Sequence, residues 1–248
     1  KHVIRTADEI MKIIEYVLMN NDLTLAWAIY AGGFLSYRRE ESMGASWAFI
    51  DLDKGRISVY YTITETFVKG EGNVLEIKDE GKTADSIRSH QLDDFGIQLL
   101  SAIQKSKKYN MEIAGNSYNH KYDQFVMVDA LGNIIMPETL SKRYIAVQRK
   151  MGYENGNIQP IKDLRHSCAS DLNSRGKTLK DIQDYLGHSN SEITSTTYTY
   201  LFLDAKINVA NENTDRLSHL KINTVVTTTD DVKPNTLSLK RKNSTSKD

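Results

Sequence analysis

"KDLRHSCASDLNSRGKTLKDIQDYLGHSNSEITSTTYTYL", residues 162–201, decides how this chain is read. Two helices are predicted here, over 162–175 and 178–186, with Gly176 between them. Thr178 is suited to cap the second, and Leu179, Ile182 and Leu186 fall on its inner face. That pattern fits a helix-turn-helix, and it fits two simply packed helices better. A recognition helix shows Arg, Asn or Gln to base edges. Here the outer face carries Lys180, Asp181, Gln183 and Asp184, and phosphates would repel the two acids. A second question remains: why Lys162, Arg165 and His166, then Gly187 and His188, then a run of Thr and Tyr, share so short a span.

Composition sets the outer limits. The 248 residues exceed what one small core needs, and 40% hydrophobic with 26% charged residues describes an ordinary globular chain. Thirty-two basic residues balance thirty-two acidic ones, so no overall charge holds the chain to a polyanion, although a local patch still can. No apolar run reaches the ~18 residues of a membrane span. A single cysteine, Cys168, excludes an internal disulfide and suits a reducing compartment. The chain opens on Lys1 rather than Met, as a fragment or a processed form would.

Outward from the opening stretch, residues 7–20 place Ile10, Ile13, Ile14, Val17 and Leu18 at helical spacing, with Thr6 as N-cap. Residues 23–36 predict a buried helix. "ISVYYTITETFV" is rich in β-branched and aromatic residues, follows the turn "DLDKGR", and predicts a strand. Gly70 and Gly72 mark a turn, "NVLEIK" a second strand, and "GKTADSIRSHQL" a turn into a third, with Ile87 inward. Helices return at 93–108 and 138–151, and 109–123 reads as a polar loop. Beyond about residue 222 the chain is polar, basic near its end and without apolar periodicity, the composition of disorder. The expected fold is mainly α (α+β), helical with one small antiparallel sheet.

Three separated stretches, in order, carry a resemblance. "LRHSCAS", "IQDYLGHS" and "TTYTYL" resemble the second conserved box of the tyrosine recombinases, the phage-integrase family. "LSYRREESMGASWAFIDLDKGRISV" resembles the first box, an Arg-rich turn opening a helix that ends at a Trp before a strand. "GKTADSIRSHQL" resembles the lysine-bearing hairpin between the boxes. The resemblance spans about residues 7–205. It implies a catalytic domain over 1–222, followed by a basic tail over 223–248, with the N-terminal core-binding domain usual in relatives absent from this chain.

The chemistry implied is transesterification. A tyrosine oxygen attacks a backbone phosphorus, leaving a 3′-phosphotyrosine and a free 5′-hydroxyl. The transition state gathers negative charge on non-bridging oxygens, which forked guanidinium donors suit. The resemblance assigns this clamp to Arg38 and Arg165, and loss of either should raise the barrier by at least ~3 kcal/mol. It assigns the general acid for the leaving oxygen to Lys82. Glu41, one turn after Arg38, is expected to orient that arginine, and His188 to donate to a non-bridging oxygen. His166 and Tyr185 are expected to pack rather than react. Lys162 stands where integrases most often carry histidine and type IB topoisomerases often carry lysine. Its i to i+3 spacing would put it on the same helical face as Arg165. Tyr198, ten residues after His188, is the expected nucleophile in preference to Tyr200.

The resemblance thus implies site-specific DNA recombination by a cytoplasmic, prokaryotic or phage-encoded enzyme. It needs no metal and no cofactor. The partners implied are double-stranded DNA, further copies of the chain as a tetramer on paired sites, and accessory DNA-bending proteins, with no membrane. Relaxation of DNA by a type IB topoisomerase and regulation by a non-catalytic helix-turn-helix protein are the alternatives.

Overall fold

The computed structural model describes residues 2–79 and 88–187. At its centre runs α2 (Leu23–Gly33), whose sequence LTLAWAIYAGG is apolar around the whole circumference. A helix without a polar stripe must be covered on every side, and all its residues from Leu25 onward are buried. α1 (Ala7–Met19) lies against it through Ile10, Ile13, Ile14 and Val17, each worth about 1.5–3 kcal/mol when fully buried. Thr6 caps α1 as predicted: its hydroxyl accepts from Glu9 N, and the Glu9 carboxylate accepts from Thr6 N.

After α2 the chain turns through residues 34–38 into α3 (Arg39–Met43), a helix of only five residues. It stops at Gly44, where a side chain cannot fit: a Cβ there would lie 2.0 Å from the carbonyl oxygen of Tyr61. The strands follow. β1 (Ile50–Asp51), β2 (Arg56–Val59) and β5 (Arg88–Gln91) form an antiparallel sheet in the order β1-β2-β5, with Ile57 opposite His90 and Val59 opposite Arg88. β3 (Tyr61–Val68) and β4 (Gly72–Asp79) pair separately as an antiparallel hairpin. The strand expected over "ISVYYTITETFV" is therefore interrupted at Tyr60, whose ring stacks on Phe49 at 4.1 Å. Beyond Tyr60 the chain pairs with β4 instead of with β1 or β5. The hairpin extends into solvent, and Phe67 near its tip is 72% exposed. Residues 80–87, with Lys82 and Ile87, lie outside the described residues.

α4 (Asp94–Ala114) corrects the expectation of a loop over 109–123. The helix begins as predicted but continues to Ala114, and two short 3-10 turns, Gly115–Ser117 and His120–Tyr122, follow it. Only Gly96, Leu99, Leu100 and Ile103 are buried, so the last turns have no apolar face to reveal them. α5 (Pro137–Lys150) starts on a proline at its first position, which suits the fixed φ and missing N–H of that residue. α5 and the segment after it are joined by a buried polar network. Tyr144 OH donates to Gln159 Oε1 at 2.7 Å, and Gln159 Nε2 donates to Ser167 Oγ and to Val3 O. Arg5 joins the same network through Gln148 Oε1 and Asn157 O, its guanidinium lying 3.9 Å from the centre of the Tyr153 ring.

α6 (Leu164–Ser174) and α7 (Leu179–Leu186) occupy the stretch quoted first. They pack on each other around Ala169, Ile182 and Leu186, and Thr178 caps α7 by accepting from Asp181 N. No helix among the described residues is long and apolar enough to cross a membrane. The tail expected beyond residue 222 also lies outside the described residues.

Candidate functional site

Arg38 is the N-cap of α3, in extended backbone that turns its side chain back along the helix. Glu41, three residues on, accepts from Arg38 N at 2.7 Å and from Arg38 Nη1 at 2.8 Å. The carboxylate is buried, while the Arg38 side chain is 49% exposed. One acid thus fixes both ends of the arginine that faces outward.

The other oxygen contacts of Glu41 come from far along the chain. Arg88, at the start of β5, donates from Nη2 to Glu41 Oε2 at 2.7 Å. Its Nε donates to His90 Nε2 at 2.9 Å, and its Nη1 to the carbonyl of Leu186. Arg165, in the first turn of α6, donates to Ser36 O at 2.6 Å and to Leu186 O at 2.7 Å, with Nη1 3.8 Å from Glu41 Oε2. Two guanidinium groups therefore meet on the last carbonyl of α7, where cations complement the negative end of a helix. Gly187 ends α7 at φ +67°, and a Cβ there would come within 2.6 Å of Arg88 Nη1. Glycine alone meets both conditions.

The electrostatics follow from the packing. Burial pushes the Glu41 carboxyl up, but Arg88, the backbone N–H of Arg38, Arg165 and the Arg38 side chain together hold its pKa below the ordinary value. Burial, with Arg88 adding to it, pushes His90 down to about 3, so its Nε2 stays available as the acceptor for Arg88. Three arginines around one carboxylate leave surplus positive charge at the mouth of the site.

Lys162 adds to it. The spacing predicted a position on the helix of Arg165; instead Lys162 lies in a 3-10 turn, Ile161–Asp163, that precedes α6. Pro160 opens that turn, and Asp163 occupies the N-cap of α6, so the helix starts two residues later than the pattern suggested. Lys162 is exposed, and with Arg38, Arg39 and Arg165 it lines a cleft of about 410 Å³. Three predicted site residues, Arg38, Lys162 and Arg165, are thereby brought together. Lys82, His188 and Tyr198 lie outside the described residues, as does Tyr200.

His166 is half-buried and packs its ring 4.0 Å from that of His2, with burial pushing its pKa down to about 4. Tyr185 donates to Phe34 O at 2.8 Å and meets His90 edge-on. Both pack, as expected. Cys168 is buried, and burial raises its thiol to about 12. The sequence reading missed Arg88 and His90. They stand in "SIRSHQL", just after the Lys82 turn, and nothing local marks an arginine whose partners lie 47 residues before and 98 residues after it.

A cleft walled by forked donors, with a lysine at its rim, is chemically suited to hold a phosphodiester. Comparison with known proteins points the same way. The model of the phage integrase family matches residues 5–203. A tyrosine recombinase XerC-like protein of Caldanaerobacter subterraneus subsp. tengcongensis is 29% identical over 206 residues, which are 82% of this chain and 51% of that protein. Tyrosine recombinase XerC of Histophilus somni is 36% identical over 110 residues, 44% of this chain and 34% of the relative. This chain thus spans about half the length of the first of these and a third of the second. Among solved structures, the Tn1549 transposon integrase in complex with transposon right end DNA gives a TM-score of 0.63 at 16% identity, covering 87% of this chain and 66% of that one. The XerA recombinase gives 0.56 at 17% identity, covering 78% and 58%. At these identities the structural likeness is one of fold. The two conserved boxes, the fold that carries them and a family match running through most of the described residues lead to one conclusion: the chain belongs to the phage integrase family.

Proposed function

We propose that residues 1–222 are the catalytic domain of a tyrosine recombinase, followed by a basic tail over 223–248, and that this domain cuts and rejoins double-stranded DNA through a 3′-phosphotyrosine. The observation that carries the reading is the single cleft shared by Arg38, Lys162 and Arg165. Relatives support DNA as the substrate: the Tn1549 integrase was solved with transposon end DNA, and the XerH site-specific recombinase was solved bound to its difH substrate. They also favour strand exchange over relaxation or a purely regulatory role.

In this reading Tyr198 attacks phosphorus and Lys82 protonates the leaving 5′-oxygen. Arg38, Arg165, Lys162 and His188 donate to the non-bridging oxygens, where charge grows in the transition state. Glu41 orients Arg38, and Arg88 positions Glu41 and the end of α7. No metal or cofactor is required, because the phosphotyrosine conserves the bond energy for rejoining. Copies of the chain would act as a tetramer on paired sites in the cytoplasm, with DNA-bending proteins assisting.

The test is incubation with a nicked suicide DNA, whose cleaved end cannot rejoin, followed by detection of a covalent protein–DNA adduct. The wild-type chain and Tyr200→Phe should form it, and Tyr198→Phe should not. An adduct with Tyr198→Phe would overturn the nucleophile; none with the wild type would overturn the activity.

A further inference from the structure

Next in sequence to the cleft residues Lys162 and Arg165 stand two members of a second cluster whose chemistry the strand-cutting reading leaves unused. His2 Nδ1 stands 2.9 Å from Asp163 Oδ1, and the His2 and His166 rings lie 4.0 Å apart. One ligand atom from each of His2, Asp163 and His166 falls within 4.8 Å of the others. We propose that these three residues form a binding site for a transition-metal dication of the Zn2+ type, which fastens residues 2–5 to the turn carrying Lys162.

The donor set selects the class of ion. Two imidazoles and one carboxylate suit Zn2+ and its neighbours, whereas Mg2+ and Ca2+ prefer oxygen ligands alone. Three protein ligands leave a fourth tetrahedral position for water. Bonds of about 2.0–2.2 Å in a tetrahedral site put ligand atoms about 3.4 Å apart, so from 4.8 Å the cluster has to close by up to about 1.4 Å. The ligands that need not move are already held. Asp163 is 2% exposed, and its second oxygen accepts from Val3 N at 3.1 Å. A backbone donor of this kind orients a ligating carboxylate while leaving its other oxygen for the metal. His166 sits in the first turn of α6. The movement falls to His2, whose side chain is 48% exposed and which can exchange its hydrogen bond to Asp163 for a shared metal ion. The segment behind it is already anchored, with Arg5 N donating to Ser167 Oγ at 2.9 Å. An ion here would add a second tie to the strap that Arg5 already holds.

The proposal rests on this geometry and not on the strand-cutting reading, so it is tested by binding. The full chain, freed of metal and of any histidine tag, is titrated with Zn2+ by calorimetry and with Co2+ by visible absorption, with Mg2+ as the contrasting ion. Expected are one Zn2+ per chain, a tetrahedral Co2+ spectrum, a rise in melting temperature with Zn2+ and none with Mg2+. His2→Ala, at a side chain 48% exposed, should weaken Zn2+ binding by at least ~10-fold, and His166→Ala likewise. His2→Cys, a replacement ligand, should restore it. Unchanged Zn2+ affinity in His2→Ala, or no saturable Zn2+ binding by the wild type, overturns the site.

Discussion

Two pairs of cations stand in and beside the cleft, and they are held in opposite ways. Arg165 is buried and Arg88 mostly so, and each uses its guanidinium on protein acceptors: Glu41, His90, Ser36 and the Leu186 carbonyl. Arg38 and Lys162 stand at the surface, where one carboxylate holds Arg38 and the rim of the cleft presents Lys162. The inner pair is costly to desolvate and fixes geometry, with Arg165 also reaching the cleft; the exposed pair costs little and can follow a ligand. The contrast predicts which substitutions unfold the chain and which only disarm it.

The largest effect belongs to Arg88. Arg88→Met would take one donor each from Glu41, His90 Nε2 and Leu186 O, and because Arg38 and Arg165 still serve Glu41 and Leu186 O the cost should be about 3 kcal/mol, the low end for loss of a buried charge partner. Urea denaturation should show this fall in stability; a loss below ~1 kcal/mol would break the comparison from the buried side. Arg38→Ala comes next and should behave in reverse. Single-turnover cleavage should drop about 10²–10³-fold, while stability changes by less than ~1 kcal/mol, as for a half-exposed ion pair.

Lys162→Ala should lose roughly 10²-fold in cleavage, the lower end for one donor, with Lys162→His retaining most of it. The pH profile sharpens this assignment. If wild-type cleavage rises with a lysine-like ionisation that vanishes in Lys162→Ala, the residue acts as base and not as donor. The smallest effect concerns acid. His90 has a folded pKa of about 3 against an ordinary 6.5, so the folded state favours its neutral form. Its contribution is present above the unfolded value and is lost as pH falls from 6.5 toward 3, amounting to about 2 kcal/mol between roughly pH 7.5 and 5. Denaturation at the two pH values should show it, and His90→Gln, whose carbonyl can still accept from Arg88, should remove that part of the slope.

Sequence patterns revealed the elements whose burial is one-sided or complete. α1 was legible because Ile10, Ile13, Ile14 and Val17 repeat on one face and Thr6 caps it, and α2 because it has no polar face at all. The end of α4 was not, since Tyr109 and Ile113 are exposed and propensity alone carries the helix there. Arg38, Lys162 and Arg165 were legible as residue types in recognisable boxes. Glu41 as a hub was half legible: its i to i+3 partner is local, but Arg88 and Arg165 reach it only through the fold. The 3-10 turn at Lys162 hinges on Pro160 and Asp163, whose side chain is taken by His2 and Val3, 161 and 160 residues before it. Periodicity cannot register such a long-range contact.

The contact at Gly44 has a mechanical side. Only a hydrogen separates the end of α3 from the Tyr61 carbonyl, so helix and strand cannot slide past each other without first parting. The strand is one arm of a hairpin eight residues long, about 26 Å at the usual rise per residue. The helix is the one whose cap is Arg38. A load applied near Phe67 is therefore delivered at the root of the hairpin, with leverage, to the base of the arginine that faces the cleft.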